Sequence, residues 1–396
     1  MQTGHPIFWI LVAAVLAPLL AAIPRRFKVP VVVLEVLLGI LIGPQVLGLV
    51  QFEGSVTFIY VIGRAMTLFM AGMELDLSGM KGRPISLAVG GWGFSALLGI
   101  CVIGLLHVIP QVHAPMMVTL ALCTTGLGTL LPIFRDSGQL STPFGRMLMA
   151  AGTLGEVGPI VAMSLLLSQQ YSTWQEIGFL LAFLAIVGGA ILVGMGAHPS
   201  RPAAFLSKHM HTSTQLPVRV SLLMLAALLV LSEDFGFESI FGAFAAGLIV
   251  GQFTRGEAGK AFREKIDAVS FGWFYPFFFV GTGIKFDVAA LGQSLTTMLV
   301  VPAFMLLFLV IRGAPAFLYR NDITKAQFLP FALASAVPSL SIIVVITDIG
   351  VKAKTMNPDI ATAMIGAALL CIMVFPTITG MLLSRQAVSS DPPTRL

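Results

Sequence analysis

Residues 123–132 read Cys-Thr-Thr-Gly-Leu-Gly-Thr-Leu-Leu-Pro and lie inside an otherwise apolar segment, 115–134. Residues 335–341, Ser-Ala-Val-Pro-Ser-Leu-Ser, interrupt a second apolar segment, 326–347, in the same manner. Glycine and proline weaken a helix, and serine and threonine hydroxyls satisfy backbone groups that a broken helix sets free. The two stretches therefore predict two interrupted helices. Kinks alone are the alternative, since glycine and proline are common in membrane helices.

The surrounding sequence has the composition of a membrane protein. Apolar residue types make up 57% of the 396 residues and charged types only 10%, against roughly 25% charged residues in soluble domains. Segments of about 20 mostly apolar residues, the length that spans a bilayer as a helix, follow one another along the chain. We predict about thirteen of them, at 6–23, 29–50, 55–73, 84–108, 115–134, 146–168, 176–197, 216–235, 238–253, 265–284, 290–312, 326–347 and 358–383.

Basic residues alternate between the loops that join these segments. Loops after odd-numbered segments hold most of the 23 lysines and arginines, Arg312 among them. Loops after even-numbered segments hold only Lys285, Lys352 and Lys354. The positive-inside rule then predicts a multi-pass protein of the cell (inner) membrane, with the N-terminus outside and the C-terminus in the cytoplasm.

The spacing of the segments indicates an internal repeat. Segments 1 to 6 and 8 to 13 start about 210 residues apart, which predicts two structural repeats, at 6–168 and 216–383, with a linker helix at 176–197 and a cytoplasmic tail at 384–396. Six helices plus one linker is an odd number, so the second repeat is inverted in the membrane. The interrupted segments, 5 and 12, occupy matching positions, as they do around the binding site of many secondary transporters. We therefore predict an all-α integral membrane transporter.

Glu156 is the strongest candidate for the site. It lies near the middle of segment 6, within Gly-Thr-Leu-Gly-Glu-Val-Gly-Pro, residues 152–159. An ionisable residue in mid-membrane is a functional candidate by default. A buried carboxylate holds a proton or a cation but not both well, and this competition permits exchange when the site faces one side at a time. We predict that Glu156 is the carrier, with a structural ion pair to Arg64 as the alternative.

Oxygen ligands and charge partners for Glu156 are expected near by. The nearest oxygen ligands predicted from the interrupted segments are Thr124, Thr125 and Ser339. Three further charged residues are possible partners in the membrane. Arg64 lies in segment 3, Glu35 lies in segment 2 with a structural role favoured, and Lys285 lies at an interfacial helix end.

Catalytic and cofactor chemistry has no support in the sequence. No phosphate-binding loop, dinucleotide fingerprint or catalytic triad occurs. The histidines are not spaced as metal ligands, and Cys101, Cys123 and Cys371 each fall inside an apolar segment. We expect no enzyme activity, no cofactor, no nucleic-acid partner and no metal other than a transported monovalent cation.

Four further stretches stand out along the chain. They are Gly-Ile-Leu-Ile-Gly-Pro at 39–44 followed by Leu47-Gly48, Phe-Met-Ala-Gly-Met-Glu-Leu-Asp at 69–76, Phe-Gly-Ala-Phe-Ala-Ala-Gly at 241–247, and the Pro-x-Phe-Phe-x-x-x-Gly pattern at 276–283. They resemble motifs of the monovalent cation:proton antiporter superfamily, in the branch with bacterial sodium/proton exchangers and glutathione-gated potassium efflux systems. The four together, in order along nearly the whole chain, are fairly specific.

The resemblance implies a core domain, at about 84–168 and 290–383, in which segments 5 and 12 cross as broken helices. It also implies a separate dimerisation domain, a homodimer and an elevator-like movement. The family's ion site is an acidic pair on the sixth helix, Asn-Asp, Asp-Asp or Gln-Asp. Glu156 takes the second position, where it replaces the usual aspartate. Gly155 takes the first and departs from the pattern.

We therefore predict exchange of Na⁺ or K⁺ for protons by alternating access. Because Gly155 offers no second titrating group, we expect the exchange to be electroneutral. A potassium efflux pathway gated by a separate cytoplasmic subunit is one alternative, and a sodium-coupled organic-anion symporter is another. A small acidic pocket favours the antiporter, whereas a pocket lined by polar and basic groups favours the symporter. The sequence does not distinguish Na⁺ from K⁺.

Overall fold

The computed structural model describes residues 5–23, 29–75, 82–105, 115–127, 130, 134, 139, 142–167, 173–196, 214–254, 257–288 and 295–390. The described part of the chain is helical and contains no β-strand. The α-helices are α1 (Pro6–Ala22), α2 (Val31–Ile42), α3 (Ser55–Glu74), α4 (Arg83–Gly99), α5 (Pro115–Leu122), α6 (Pro143–Leu167), α7 (Thr173–Gly196), α8 (Leu216–Asp234), α9 (Ser239–Phe253), α10 (Glu257–Val269), α11 (Tyr275–Lys285), α12 (Leu295–Gly313), α13 (Lys325–Ser335), α14 (Leu340–Lys352) and α15 (Pro358–Ser390).

Each predicted apolar segment coincides with a helix or a pair of helices, which confirms the all-α fold class. Within the described ranges, five helices are long and apolar enough to cross a bilayer, and the bent pair α13 and α14 makes a sixth. Shorter apolar helices occur at α1, α2, α9 and within α7. The number of thirteen spans therefore stays a prediction.

Three boundaries differ from the prediction. Helix α10 starts at Glu257 and runs through a π-helical turn at Ser270–Phe274 into α11, because Phe262 and Ile266 bury one face of an otherwise charged helix. Helix α15 continues to Ser390, into the predicted tail. The assignment of Arg312 to a loop is wrong, since α12 includes this residue and a 3₁₀-helix follows at Ala314–Tyr319.

The helices pack in two groups. In the first, which we call the scaffold group, α3 packs on α9 and α11, α2 on α1 and α11, and α8 on α9. In the second, the core group, α4 packs on α6 and α12, α15 on α12, α13 and α14, and α5 on α6 and α14. The two interrupted segments both belong to the core group.

The scaffold group explains several motif glycines. Gly247 of α9 lies against the carbonyl oxygen of Phe69 in α3, and Gly39 of α2 lies against that of Val280 in α11. A Cβ atom at either glycine would collide with the neighbouring backbone. Small residues allow membrane helices to approach this closely, so these motif positions serve helix packing.

Candidate ion-binding site

The two interruptions meet each other inside the core group. Helix α5 ends at Leu122 and helix α13 at Ser335, and non-helical backbone follows each. The backbone N–H of Gly126 donates to the carbonyl of Val337 at 2.9 Å. A Cβ at Gly126 would lie 2.7 Å from the Pro338 carbonyl oxygen, so glycine permits the close crossing. The structure confirms that segment 12 is broken and that the interruptions of segments 5 and 12 meet. Most of segment 5 after its interruption lies outside the described residues.

Threonine hydroxyls hold the crossing together. Thr125 Oγ1 donates to the Ser335 carbonyl at 2.6 Å, and thereby satisfies the end of α13. Thr124 Oγ1 donates to the Ala121 carbonyl at 2.8 Å and accepts from the Ser339 N–H at 3.3 Å. The three predicted oxygen ligands therefore lie together at the crossing. Among the described residues, their hydrogen bonds go to the backbone and to one arginine, and not to Glu156.

Glu156 lies beside the crossing and is 4% exposed. Its Oε1 accepts the backbone N–H of Leu127 at 3.0 Å, just where helical backbone resumes after the first interruption. The N–H of Thr125 donates to the Gly155 carbonyl at 3.0 Å and holds α6 against the non-helical backbone of the first interruption. Glu156 therefore has one backbone N–H donor and, among the described residues, no basic partner.

Gly155 has no room for a side chain. A Cβ there would lie 2.6 Å from Thr125 Cβ and 2.9 Å from Arg312 Nη2. The space that a second polar side chain on α6 would need is filled by these two residues. This packing gives a physical reason for glycine at the position where the resembled family carries a polar residue.

Arg312 is a buried cation of the core group that the sequence reasoning missed. It is 2% exposed. Its guanidinium donates to Thr125 Oγ1 at 2.9 Å, to the Ala151 carbonyl at 3.0 Å and to Ser95 Oγ at 3.4 Å. No carboxylate of the described residues lies within ion-pair distance of it. The available signal was the apolar stretch that continues after it, Ala-Pro-Ala-Phe-Leu-Tyr at 314–319.

The predicted charge partners lie elsewhere. Arg64 Nη1 is 3.6 Å from Asp348 Oδ2, and Lys285 Nζ donates to Asp348 Oδ1. Within the described chain, no ion pair joins Arg64 to Glu156 or Glu35. The Glu35 side chain is buried and forms no hydrogen bond or ion pair with another described residue. Asp348 was missed because it directly follows an apolar run, where it reads as an interfacial residue.

Carboxylates gather on one side of the site. The charge of Glu74, at the end of α3, acts on Glu156. Glu35, Glu74, Glu156 and Asp267 all lie within electrostatic range of the hydroxyl of Tyr275. Several acidic residues therefore lie on this side of the site.

An all-helical membrane fold in which two interrupted helices meet beside a buried carboxylate is typical of secondary transporters. The family model described as sodium/hydrogen exchanger, transmembrane, matches residues 11–385. The chain belongs to this family.

Individual relatives are distant. The chain is 25% identical over 364 residues to the Na⁺/H⁺-K⁺ antiporter GerN of Bacillus cereus, with 89% of each chain covered. It is 24% identical over 405 residues to YjbQ of Bacillus subtilis (strain 168), across 97% of this chain. The chain spans 64% of the length of YjbQ.

A solved structure has the same fold. The sodium proton antiporter MjNhaP1 from Methanocaldococcus jannaschii, at pH 8, superimposes with a TM-score of 0.62. The match covers 97% of this chain and 99% of that one, at 19% sequence identity. At this identity the likeness establishes the fold alone.

Proposed function

We propose that this protein exchanges a monovalent cation, Na⁺ or K⁺, for protons, and that Glu156 carries both. One observation carries the proposal: Glu156 is a buried carboxylate at the crossing of two broken helices, with one backbone N–H donor and no basic partner among the described residues. A carboxylate paired permanently with a cationic side chain could not exchange its partner. The Glu156 carboxylate, without such a partner among the described residues, can bind a proton or a cation in turn.

The exchange follows from competition at one group. When the carboxylate is protonated, the site holds no charge that attracts a cation. When a cation binds, it displaces the proton, and the polar backbone of the interruptions supplies further oxygen atoms. Thr124, Thr125 and Ser339 lie at the crossing and remain our candidates for ligands, although their hydroxyl and N–H groups bond to other partners here.

The acidic surroundings favour a cation over an organic anion. Four acidic residues lie within electrostatic range of Tyr275, and any of them that is ionised would repel an anionic substrate. The sodium-coupled organic-anion symporter is therefore the weaker alternative. The name of GerN includes K⁺, which keeps K⁺ beside Na⁺ as a candidate ion. A K⁺ efflux pathway gated by a separate cytoplasmic subunit remains an alternative.

Alternating access would use the two packing groups. We propose that the core group, with Glu156, moves relative to the scaffold group and carries the ion across. The scaffold group would then also provide the contact of a homodimer in the cell membrane. The orientation stays as predicted, with the N-terminus outside and the C-terminus in the cytoplasm.

The test is transport by the purified protein in liposomes that contain a pH-sensitive dye. Na⁺, K⁺, Li⁺ and Rb⁺ are added in turn, and we expect at least Na⁺ or K⁺ to move protons in the opposite direction. Exchange by the purified chain alone would argue against an obligatory gating subunit. If none of the four ions moves protons, the proposal fails.

Sidedness has its own test. A cysteine in the 198–219 connection should react with an impermeant reagent only from the cytoplasm, and one beside Glu176 only from outside. The reverse pattern would overturn the orientation, and reaction of both from one side would overturn the helix count between them.

A further inference from the structure

Three basic side chains surround Asp348, in the second half of the broken span α13–α14. Lys285, at the end of α11, donates to Asp348 Oδ1, and Arg64 of α3 lies 3.6 Å from Oδ2. Lys352, one turn further along α14, lies 3.0 Å from Oδ2. The side chains of Asp348 and Arg64 are only 11% and 15% exposed, so solvent and salt screen their interaction weakly.

The partners come from both packing groups. Asp348 and Lys352 belong to the core group, whereas Arg64 and Lys285 belong to the scaffold group. Lys285 is also fixed within the scaffold group, since its ammonium lies 5.2 Å from the ring centroid of Phe52 and 5.4 Å from that of Tyr60. Two ion pairs therefore join the groups, and a third stays within one helix.

A cavity of about 270 Å³ opens at the same place, between the two groups. The scaffold side contributes Tyr60, Thr282 and Lys285, and the core side contributes Asp348 and Thr362, among others. The helix surfaces are separated here by a space large enough for several waters. The ion pairs of Asp348 bridge the groups where apolar packing does not.

We propose that Asp348 is a latch, a positioning residue that holds the core group in its present orientation through Arg64 and Lys285. The inference rests on the proposed alternating access, because a core that moves must separate these pairs. They stabilise one orientation and are lost in the other, so they set the ratio of the two. Lys352 lies on the same helix as Asp348, so this pair stays intact in either orientation and does not set their ratio.

The experiment measures accessibility, which does not depend on the transported ion. Thr362→Cys is introduced into a chain with Cys101→Ser, Cys123→Ala and Cys371→Ala, and the purified protein is treated with a water-soluble maleimide in detergent. We expect Asp348→Asn to change the reaction rate about tenfold, which corresponds to about 1.4 kcal/mol in the ratio of orientations. Arg64→Gln and Lys285→Gln, which break the same tie from the scaffold side, should change it in the same direction.

Two matched controls separate the latch from a general loss of stability. Lys352→Gln removes the pair within α14 and should leave the rate unchanged. Asp322→Asn removes the ion pair with Arg83, which joins two parts of the core group at 2.6 Å, and should also leave it unchanged. Equal rates in native protein and all three variants of the bridging residues would overturn the proposal, as would a change of the same size in the controls.

A tether gives a second, independent readout. In the double variant Lys285→Cys and Asp348→Cys, a short bis-methanethiosulfonate reagent, which forms a disulfide with each thiol and releases sulfinate, should stop exchange in liposomes, and reduction should restore it. Undiminished exchange by the tethered protein would show that the groups do not separate here, and the latch would be wrong. If the maleimide rates change as expected while no cation moves protons, the proposed function fails and the latch stands.

Discussion

The crossing of the broken helices and the Asp348 cluster both hold buried charge, but they compensate it in opposite ways. At the crossing, Glu156 accepts a hydrogen bond from a backbone N–H. Arg312 donates hydrogen bonds to a hydroxyl and to a backbone carbonyl. At the cluster, one carboxylate has three basic partners. Burial of an ion is costly unless it is paired or hydrogen-bonded. The first arrangement leaves a charge able to change its partner, whereas the second fixes helices to one another.

The largest effect on the crossing is expected from a substitution of Glu156. We expect Glu156→Gln to abolish cation-dependent proton movement in liposomes, because an amide neither carries a proton as an acid does nor attracts a cation. Glutamine keeps the volume, and its amide oxygen can still accept the Leu127 N–H, so the fold should persist. Size-exclusion chromatography checks the fold. A folded variant with native exchange would remove Glu156 as the carrier.

Arg312 tests whether the crossing depends on dispersed hydrogen bonds. Arg312→Lys keeps the charge, but an ammonium cannot reach the Thr125 hydroxyl, the Ala151 carbonyl and Ser95 in the same fork geometry. Buried acceptors would be left unpaired, and we expect a loss of about 1–3 kcal/mol in stability. The unfolding temperature in detergent measures the loss. Arg83→Lys, at an exposed ion pair, is the matched control and should leave that temperature nearly unchanged. Equal effects of the two substitutions would contradict this account of the crossing.

The crossing was predictable from sequence where its signals are local. Proline and hydroxyl residues mark both interruptions, and glycines mark the first. A glutamate inside an apolar segment is recognisable by its charge alone. Arg312 escaped because Gly313 and Pro315 follow it, a pattern that is typical of a helix end. A turn of 3₁₀-helix through Pro315 keeps it inside the protein.

The Asp348 cluster was not predictable, because its partners are distant in the chain. Arg64 and Lys285 were recognised as charges in or near the membrane, but a single sequence does not show which acid lies opposite. Only the Lys352 pair has a local signal, the spacing of four residues on one helix. Tertiary packing decided the rest, including the use of Thr125 to hold Arg312 and the end of α13.

Substitution of Glu238, next to the cluster, should have a smaller effect on the unfolding temperature, and this effect should depend on pH. Glu238 precedes α9, and burial raises its pKa, while Arg64 and Lys352 act in the opposite direction. A raised pKa means that the fold favours the neutral acid, so its contribution is present at low pH and is lost as the carboxyl ionises. Glu238→Gln should therefore unfold at a slightly higher temperature than the native protein near pH 8. The difference should shrink as the pH falls towards 4.5. A difference that grows at low pH would contradict the sign.

The membrane potential should have no effect at all on the exchange rate. Gly155 has no room for a second titrating side chain, and the Arg312 guanidinium keeps its charge at any physiological pH. The moving core then carries the same charge with Glu156 protonated as with Glu156 ionised and bound to one monovalent cation. Each cycle moves one cation against one proton and no net charge, although one elementary charge crossing would be worth about 2.3 kcal/mol per 100 mV.

The measurement imposes a potential on proteoliposomes with valinomycin and a K⁺ gradient, with Na⁺ as the transported ion if it is a substrate. Equal rates at either sign of the potential are expected. Buried Glu35 is the residue most able to upset this result, since a second carboxylate that titrates in each cycle would add a proton without a cation. A rate that follows the potential in native protein but not in Glu35→Gln would assign the extra charge to Glu35. A rate that follows the potential in both would assign the extra charge to another residue. The account of Glu156 as the single carrier, with Gly155 and Arg312 adding no titrating group, would then be wrong.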